Sequence, residues 1–200
     1  MQRFEKKLRL NSQETDRGEP IPADLSPETE LVRACLRGER AAQKKMYNSL
    51  APKMFSVCLR YMGNREEAED VLQDGFVTLF TKLGSYSAEG SFEGWARKVF
   101  VNTALMALRK KDALRDRDDL ETAQGVSCPS ADQVQNLGYK ELVKLISGMP
   151  AGYRTIFNMS VIEGYSHKEI AQALGISEGT SRSQLQRARM LLQEKISRRK

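Results

Sequence analysis

Polar side chains that can read DNA bases are concentrated near the C-terminus, after Ser177. At helical spacing they share one outward face, and they are Thr180, Arg182, Ser183, Gln186 and Arg187, followed by Arg189. In a major groove arginine pairs with guanine and glutamine with adenine, and all of these donors can also bind phosphate. The segment therefore predicts a helix that binds duplex DNA. The competing interpretation is a helical hairpin with a basic face in solvent.

Two helices are predicted to position this face. Ser166 and Glu169 have the spacing of a capping box, which predicts the start of a short helix. Its buried side consists of Ile170, Ala171 and Leu174. Gly175 permits the turn that follows, and Ser177 begins the longer helix. A short helix, a glycine-containing turn and a longer helix predict a helix-turn-helix.

Residues suited to catalysis or metal binding are scarce. His167 is the single histidine, and its place beside Lys168 at a predicted helix start favours surface exposure or phosphate contact over catalysis. The three cysteines (Cys35, Cys58 and Cys128) lack metal-ligand spacing, and no glycine-rich phosphate loop of the Walker kind is present. We therefore expect no enzyme activity, no cofactor and no metal site.

Two longer helices are predicted in the N-terminal half, over residues 66–83 and 92–112. The first carries Phe76 on its apolar side and presents a polar face: Asp70, Gln73, Asp74 and Val77. The second has a basic, polar side: Lys98, Asn102, Arg109, Lys110 and Lys111. Its apolar residues, from Phe92 and Trp95 to Met106, are expected to face the core. The basic face suits melted DNA and suits ordinary solvation equally well. For the polar face of the first helix, composition alone favours ordinary solvation.

Helical spacing throughout predicts an all-α fold with two small helical domains. We expect a flexible tail over residues 1–25, a first domain over 26–112, a flexible linker over 113–135 and a second domain over 136–200. Breaks between helices are expected at Gly38, Pro52, Gly63-Asn64, Gly148 to Pro150, Gly164 and Gly175.

The charge is divided unevenly along the chain. Net charge is +6 overall with a pI near 9.3, which indicates a polyanionic partner such as nucleic acid. Residues 139–200 carry 11 basic and five acidic side chains, whereas residues 113–138 carry two and five. Unpaired cysteines, the absence of a signal peptide and the short longest apolar stretch (Val99 to Leu108) predict a cytoplasmic protein without direct membrane insertion.

Three strings carry a family resemblance: EEAEDVLQDGFVTLFTKLGSY, SFEGWARKVFVNTALMALRKKD and MPAGYRTIFNMSVIEGYSHKEIAQALGISEGTSRSQLQRARMLL. In this order and separation, covering about residues 28–197, they make the chain resemble the extracytoplasmic-function (ECF) sigma factors of the sigma-70 family. The resemblance implies a nucleoid-associated factor that binds RNA polymerase core and directs initiation at promoters with minus-ten and minus-thirty-five elements.

The resemblance also implies roles for individual residues. The residues matching the segment that binds the clamp helices of the largest polymerase subunit are Asp70, Gln73, Asp74 and Phe76. The loop from Gly84 to Ser91 and the next helix match the minus-ten reader, with Lys98, Asn102, Arg109 and Lys110 as DNA-binding residues. Within that set, Asn102 matches the residue that lines a pocket for a flipped-out base. The matching minus-thirty-five residues are His167, Lys168, Thr180, Arg182, Ser183, Gln186 and Arg187.

Two positions depart from the family pattern, and one partner is implied without being identified. Asp74 stands where glutamate is more usual and Ser181 where valine is frequent, so we expect docking to survive and a core contact to be weakened. The implied further partner is an anti-sigma factor, often membrane-tethered in this family. The alternative is a stand-alone helix-turn-helix regulator without polymerase docking, which leaves the AEDVLQDGF helix unexplained.

Overall fold

The computed structural model describes residues 27–115 and 137–198. Within these ranges it contains helices and no β-strand, which confirms the all-α prediction. The α-helices are α1 (Pro27–Leu36), α2 (Arg40–Met62), α3 (Arg65–Lys82), α4 (Phe92–Arg115), α5 (Leu137–Ser147), α6 (Ala151–Phe157), α7 (His167–Leu174) and α8 (Glu178–Ser197). The predicted tail, most of the predicted linker and Cys128 lie outside the described residues.

Two compact units divide the chain. The N-terminal unit comprises the chain up to Cys58 together with Glu69–Asp119, and the C-terminal unit comprises Leu59–Ala68 together with the chain from Leu120 onward. The end of α2 and the start of α3 therefore belong to the C-terminal unit. Sequence patterns did not indicate this grouping, and the predicted domain limits remain predictions. No described helix is long and apolar enough to cross a bilayer.

Aromatic rings form the centre of the N-terminal unit. Phe76 of α3 is fully buried, and its ring centroid lies 4.5 Å from that of Tyr47 and 5.0 Å from that of Phe100. Gly75 makes this packing possible, because a Cβ there would lie 2.3 Å from the Phe100 ring. The absence of a side chain at Gly75 lets α4 approach α3 closely, and this fixes which faces of the two helices point outward.

The expected break at Pro52 is wrong, since α2 continues through it from Arg40 to Met62. A proline inside a helix costs about 3 kcal/mol because it removes a backbone donor and crowds the preceding turn. Burial on both sides of Pro52 offsets that cost: Met46, Leu50, Met54, Val57 and Cys58 are all buried. The other expected breaks lie outside the α-helices, as predicted.

A buried arginine organises the C-terminal unit. Arg154 of α6 is 7% exposed, and its guanidinium donates to four backbone carbonyls. The N···O distances are 2.9 Å to Tyr61, 3.0 Å to Met62, 2.9 Å to Ser147 and 3.0 Å to Met149. Burial lowers the pKa of Arg154, an effect that the negative charge of Glu67 opposes. The guanidinium stays charged and caps the C-terminal ends of two helices, α2 and α5.

Further buried polar contacts lie near this arginine. We call Arg154 with its four carbonyl partners, together with Arg60, Asn158 and Glu163, the Arg154 clasp. Arg60 forms an ion pair of 3.1 Å with Glu163, and both side chains are at most 5% exposed. Asn158 donates to the Arg60 carbonyl at 2.8 Å. Gly63 has a φ of +82°, and a Cβ there would lie 2.4 Å from an Arg154 nitrogen. The clasp therefore depends on a glycine at this position.

Candidate nucleic-acid interface

The predicted reading face lies on the exposed side of α8. Its inner side is held by Ser181, Leu185 and Ala188, which are at most 5% exposed. The residues that point to solvent are Arg182, Ser183, Gln186 and Arg187, and Thr180 is half-buried beside them. The structure thus brings these five predicted residues together on the first half of one helix, the part that enters a major groove in helix-turn-helix proteins.

Local hydrogen bonds fix the two helices as the sequence predicted. The Glu169 amide donates to the Ser166 hydroxyl at 3.3 Å, and the Ser166 amide donates to the Glu169 carboxylate at 2.8 Å. Gly175 ends α7 in the left-handed conformation with φ +67°. Ser177 caps α8 by accepting from the Thr180 amide at 2.9 Å. The predicted capping box, turn and helix start are all confirmed.

Several side chains on the reading face have intramolecular partners. Arg182 pairs with Glu178 at 2.7 Å, and both side chains are largely exposed. The Ser183 hydroxyl donates to the Thr180 carbonyl at 3.0 Å. An exposed ion pair such as Arg182–Glu178 contributes only about 0–1 kcal/mol, so a phosphate can displace Glu178 at little cost. These side chains are therefore ordered by intramolecular contacts, and a phosphate could replace those contacts.

His167 and Ser181 join the two helices of the motif. The His167 Nδ1 atom lies 2.9 Å from the Ser181 hydroxyl, and Ser181 is 0% exposed. The sequence predicted only a weakened core contact at Ser181, but the serine hydroxyl also has a hydrogen-bond partner in half-buried His167. His167 is half-buried at the first position of α7, and Lys168 beside it is exposed.

A second basic face lies along α4. Four predicted residues are exposed on it: Lys98, Asn102, Arg109 and Lys110. Met106 was expected in the core but is 68% exposed. It follows Asn102 by four residues, so both occupy the same side of the helix. The expectation rested on its apolar type, whereas the spacing from Asn102 would have placed it correctly.

The loop before α4 is held in a defined conformation. Tyr86 is buried and donates from its hydroxyl to the Gly90 carbonyl at 2.9 Å. Its ring packs against those of Phe92 and Trp95, with centroid distances of 5.2 and 5.5 Å. Ala88 adopts φ +59°, a left-handed conformation that costs a non-glycine residue about 1–2 kcal/mol. The packing of Tyr86 against Phe92 and Trp95 fixes the conformation of the loop, and the fixed loop holds the strained Ala88 in place.

The third polar face lies on α3. Asp70, Gln73 and Asp74 are exposed, as predicted for a docking surface. Phe76 is not part of this surface, because it is 0% exposed and packs against Phe100. Phe76 therefore does not reach a partner directly, contrary to the prediction, but lies beneath the three polar residues and supports them.

Groups suited to metal binding or covalent chemistry are not assembled in the described part of the chain. No cluster of three or more metal-ligating side chains occurs there. Cys35 and Cys58 are both buried. Burial raises the pKa of the Cys35 thiol to about 11, an effect to which the negative charge of Glu39 adds. That thiol is therefore protonated and weakly nucleophilic near neutral pH.

Comparison with known protein families gives two matches. Residues 46–114 match the family model "Sigma-70 region 2", and residues 139–192 match "Sigma-70, region 4". The chain is 28% identical over 168 residues to the ECF RNA polymerase sigma factor SigE of Mycolicibacterium smegmatis, covering 80% of this chain and 65% of SigE. It thus spans just under two thirds of that relative.

Two further relatives extend the comparison. The chain is 25% identical over 177 residues to the ECF RNA polymerase sigma factor SigW of Bacillus subtilis, covering 82% of this chain and 94% of SigW. Among solved structures, it is similar to the sigma factor RpoE in complex with the anti-sigma factor NepR from Bartonella quintana. That similarity has a TM-score of 0.52 at 22% identity and covers 77% of this chain and 96% of RpoE, which supports the fold.

Proposed function

The chain belongs to the ECF sigma factors of the sigma-70 family, which act in transcription initiation, and we propose on that premise that it binds RNA polymerase core and selects promoters through minus-ten and minus-thirty-five elements. The observation that carries this proposal is that α3, α4 and α8 each present an exposed polar face. Each face is supported from within by buried residues. The acidic one suits a protein partner and the two basic ones suit DNA.

The α8 face is proposed to read the minus-thirty-five element in the major groove. Gln186 and Arg187 are exposed in the first half of α8, the part of a recognition helix that enters the major groove. Thr180, Arg182, Ser183, His167 and Lys168 lie nearer the helix starts, where contacts to phosphate position a protein on the duplex.

The α4 face is proposed to bind the melted minus-ten element. Asn102 offers an amide that can donate to and accept from the edge of an extruded base. Lys98, Arg109 and Lys110 surround it with positive charge that attracts the displaced strand. The strained loop at Ala88 lies just before this helix, consistent with a binding element whose conformation is set in advance.

The chain is proposed to act in the cytoplasm by binding alone, leaving bond formation to the polymerase. RpoE of Bartonella quintana was solved in complex with the anti-sigma factor NepR. We propose that an anti-sigma factor also controls this chain. Such a partner has to compete with polymerase or with DNA for the faces described above.

Replacing Gln73 and Asp74 with alanine is expected to weaken binding to polymerase core by about tenfold or more, because the change removes two polar contacts of about 1 kcal/mol or more from the proposed docking surface. Fluorescence anisotropy with labelled full-length chain and purified core measures the affinity, and far-ultraviolet circular dichroism checks the fold. The matched control replaces exposed Gln172 and Glu194 of the C-terminal unit with alanine. Equal affinities for the two double variants would contradict docking through α3.

Arg187→Ala is expected to cost about 1–3 kcal/mol at one base pair of the minus-thirty-five element if Arg187 contacts a base. A phosphate contact would instead weaken binding to every sequence alike and reduce the dependence on salt. Holoenzyme binding to a set of promoters with single base-pair changes separates the two roles. Wild-type affinity and wild-type sequence preference in the variant would exclude both contacts.

A further inference from the structure

We infer that Ser181, buried on the inner side of α8, is a positioning residue that holds the His167 ring so that its Nε2 atom donates to one phosphate beside the minus-thirty-five element. This inference deepens the proposed function and rests on it. It assigns a DNA-related role to a residue that makes no DNA contact itself. It also gives a reason for serine at a position inside the helix-turn-helix core.

The geometry isolates this hydrogen bond from water on one side. Ser181 is 0% exposed on the inner side of α8, between the capped helix start at Ser177 and buried Leu185. Its hydroxyl lies 2.9 Å from His167 Nδ1, across the interface between α7 and α8. Loss of a buried partner costs about 1–3 kcal/mol, so the ring is held firmly at its Nδ1 edge.

This bond determines what the other ring nitrogen can do. A neutral histidine carries one proton, and a serine hydroxyl can either donate or accept. When Ser181 donates to Nδ1, the proton resides on Nε2, which becomes a hydrogen-bond donor. Phosphate oxygens are acceptors only, so an approaching DNA backbone selects this tautomer. The serine adapts without moving, because only its hydroxyl hydrogen has to rotate.

The surroundings of His167 favour an anion. His167 occupies the first position of α7, where backbone amides and the helix dipole attract negative charge. Lys168 beside it is exposed. The nearest acidic side chain along the chain, Glu169, directs one carboxylate oxygen to the amide and hydroxyl of Ser166 at 2.8 and 2.7 Å. Its carboxylate is thereby committed to the helix cap.

The test uses an isosteric pair at position 181. Threonine and valine have nearly the same size, so Ser181→Thr and Ser181→Val disturb the packing similarly and differ in keeping or losing the hydroxyl. His167→Ala removes the proposed donor. Each variant is assembled with polymerase core and measured on promoter duplexes in which single phosphates around the minus-thirty-five element are replaced by neutral methylphosphonates.

At one position, we expect the methylphosphonate to weaken binding of the wild type and of Ser181→Thr by about tenfold, the size of one hydrogen bond to a charged group. Ser181→Val and His167→Ala should bind the unmodified duplex about tenfold more weakly and lose this sensitivity at the same position. Retained sensitivity in Ser181→Val would overturn the inference and leave the bond with a structural role only. Failure of the wild-type holoenzyme to bind the duplex would instead overturn the proposed function.

Discussion

Arg154→Ala is expected to lower the free energy of unfolding by about 3–5 kcal/mol. The change leaves four carbonyls, those of Tyr61, Met62, Ser147 and Met149, without their donor in a buried environment. It also leaves a cavity where the guanidinium packs. Urea unfolding of the full-length chain, followed by circular dichroism, measures the effect.

Two further variants make this test specific to the clasp. Gly63→Ala should also destabilise the chain, because its Cβ would collide with the guanidinium and the residue has a positive φ. Arg182→Ala removes an exposed arginine with a single ion pair, so it should cost at most about 1 kcal/mol. A loss in Arg154→Ala no larger than that in Arg182→Ala would show that the clasp does not stabilise the protein.

Asn102→Ala is expected to reduce transcription from a fully duplex promoter by roughly 5- to 150-fold, which corresponds to the loss of about 1–3 kcal/mol of base recognition. A base that leaves the stack costs a few kcal/mol, and the pocket contact has to offset this cost during melting. Promoters with an unpaired minus-ten region should therefore rescue most of the defect. Run-off transcription on matched duplex and pre-melted templates measures both quantities.

The control for this experiment is Asn48→Ala, the same chemical change at an exposed position of α2. Polymerase assembled with Asn48→Ala should transcribe both templates at the wild-type rate. Equal defects of Asn102→Ala on duplex and pre-melted templates would contradict a role in melting. Such a result would place Asn102 in the closed complex or in the stability of α4.

Local sequence signals predicted the helix-turn-helix correctly because they act over a few residues. The capping box at Ser166 and the turn at Gly175 each depend on side chains or backbone angles within one helical turn. The exposed positions of Arg182, Gln186 and Arg187 followed from the same helical spacing. These features needed no knowledge of the tertiary fold.

The Arg154 clasp was beyond sequence reasoning because its partners are distant in the chain. Arg154 bonds to carbonyls 92 and 93 residues away, and backbone acceptors leave no trace in residue types. Pro52 was misjudged for a related reason, since burial elsewhere along α2 outweighs a local breaker. Both the missed clasp and the wrong break at Pro52 arise where tertiary packing overrides local preference.

The faces proposed to bind polymerase and to melt DNA, on α3 and α4, were predicted mainly from family resemblance. Residue chemistry alone does not distinguish exposed Asp70 and Gln73 from an ordinary solvated face. The structure refines the predicted docking set by placing Phe76 in the core. It likewise places Met106 beside Asn102, where an apolar side chain can contact an unstacked base.

The most direct test of promoter-directed initiation is to map RNA 5′ ends made by purified polymerase core on genomic DNA, with and without the chain. We predict new 5′ ends that depend on the chain and share two upstream motifs at a constant separation. Identical 5′ ends in both reactions would contradict promoter-directed initiation by this chain. Binding of the chain to duplex DNA in the absence of polymerase would strengthen that contradiction. That outcome would instead support a regulator that acts without polymerase.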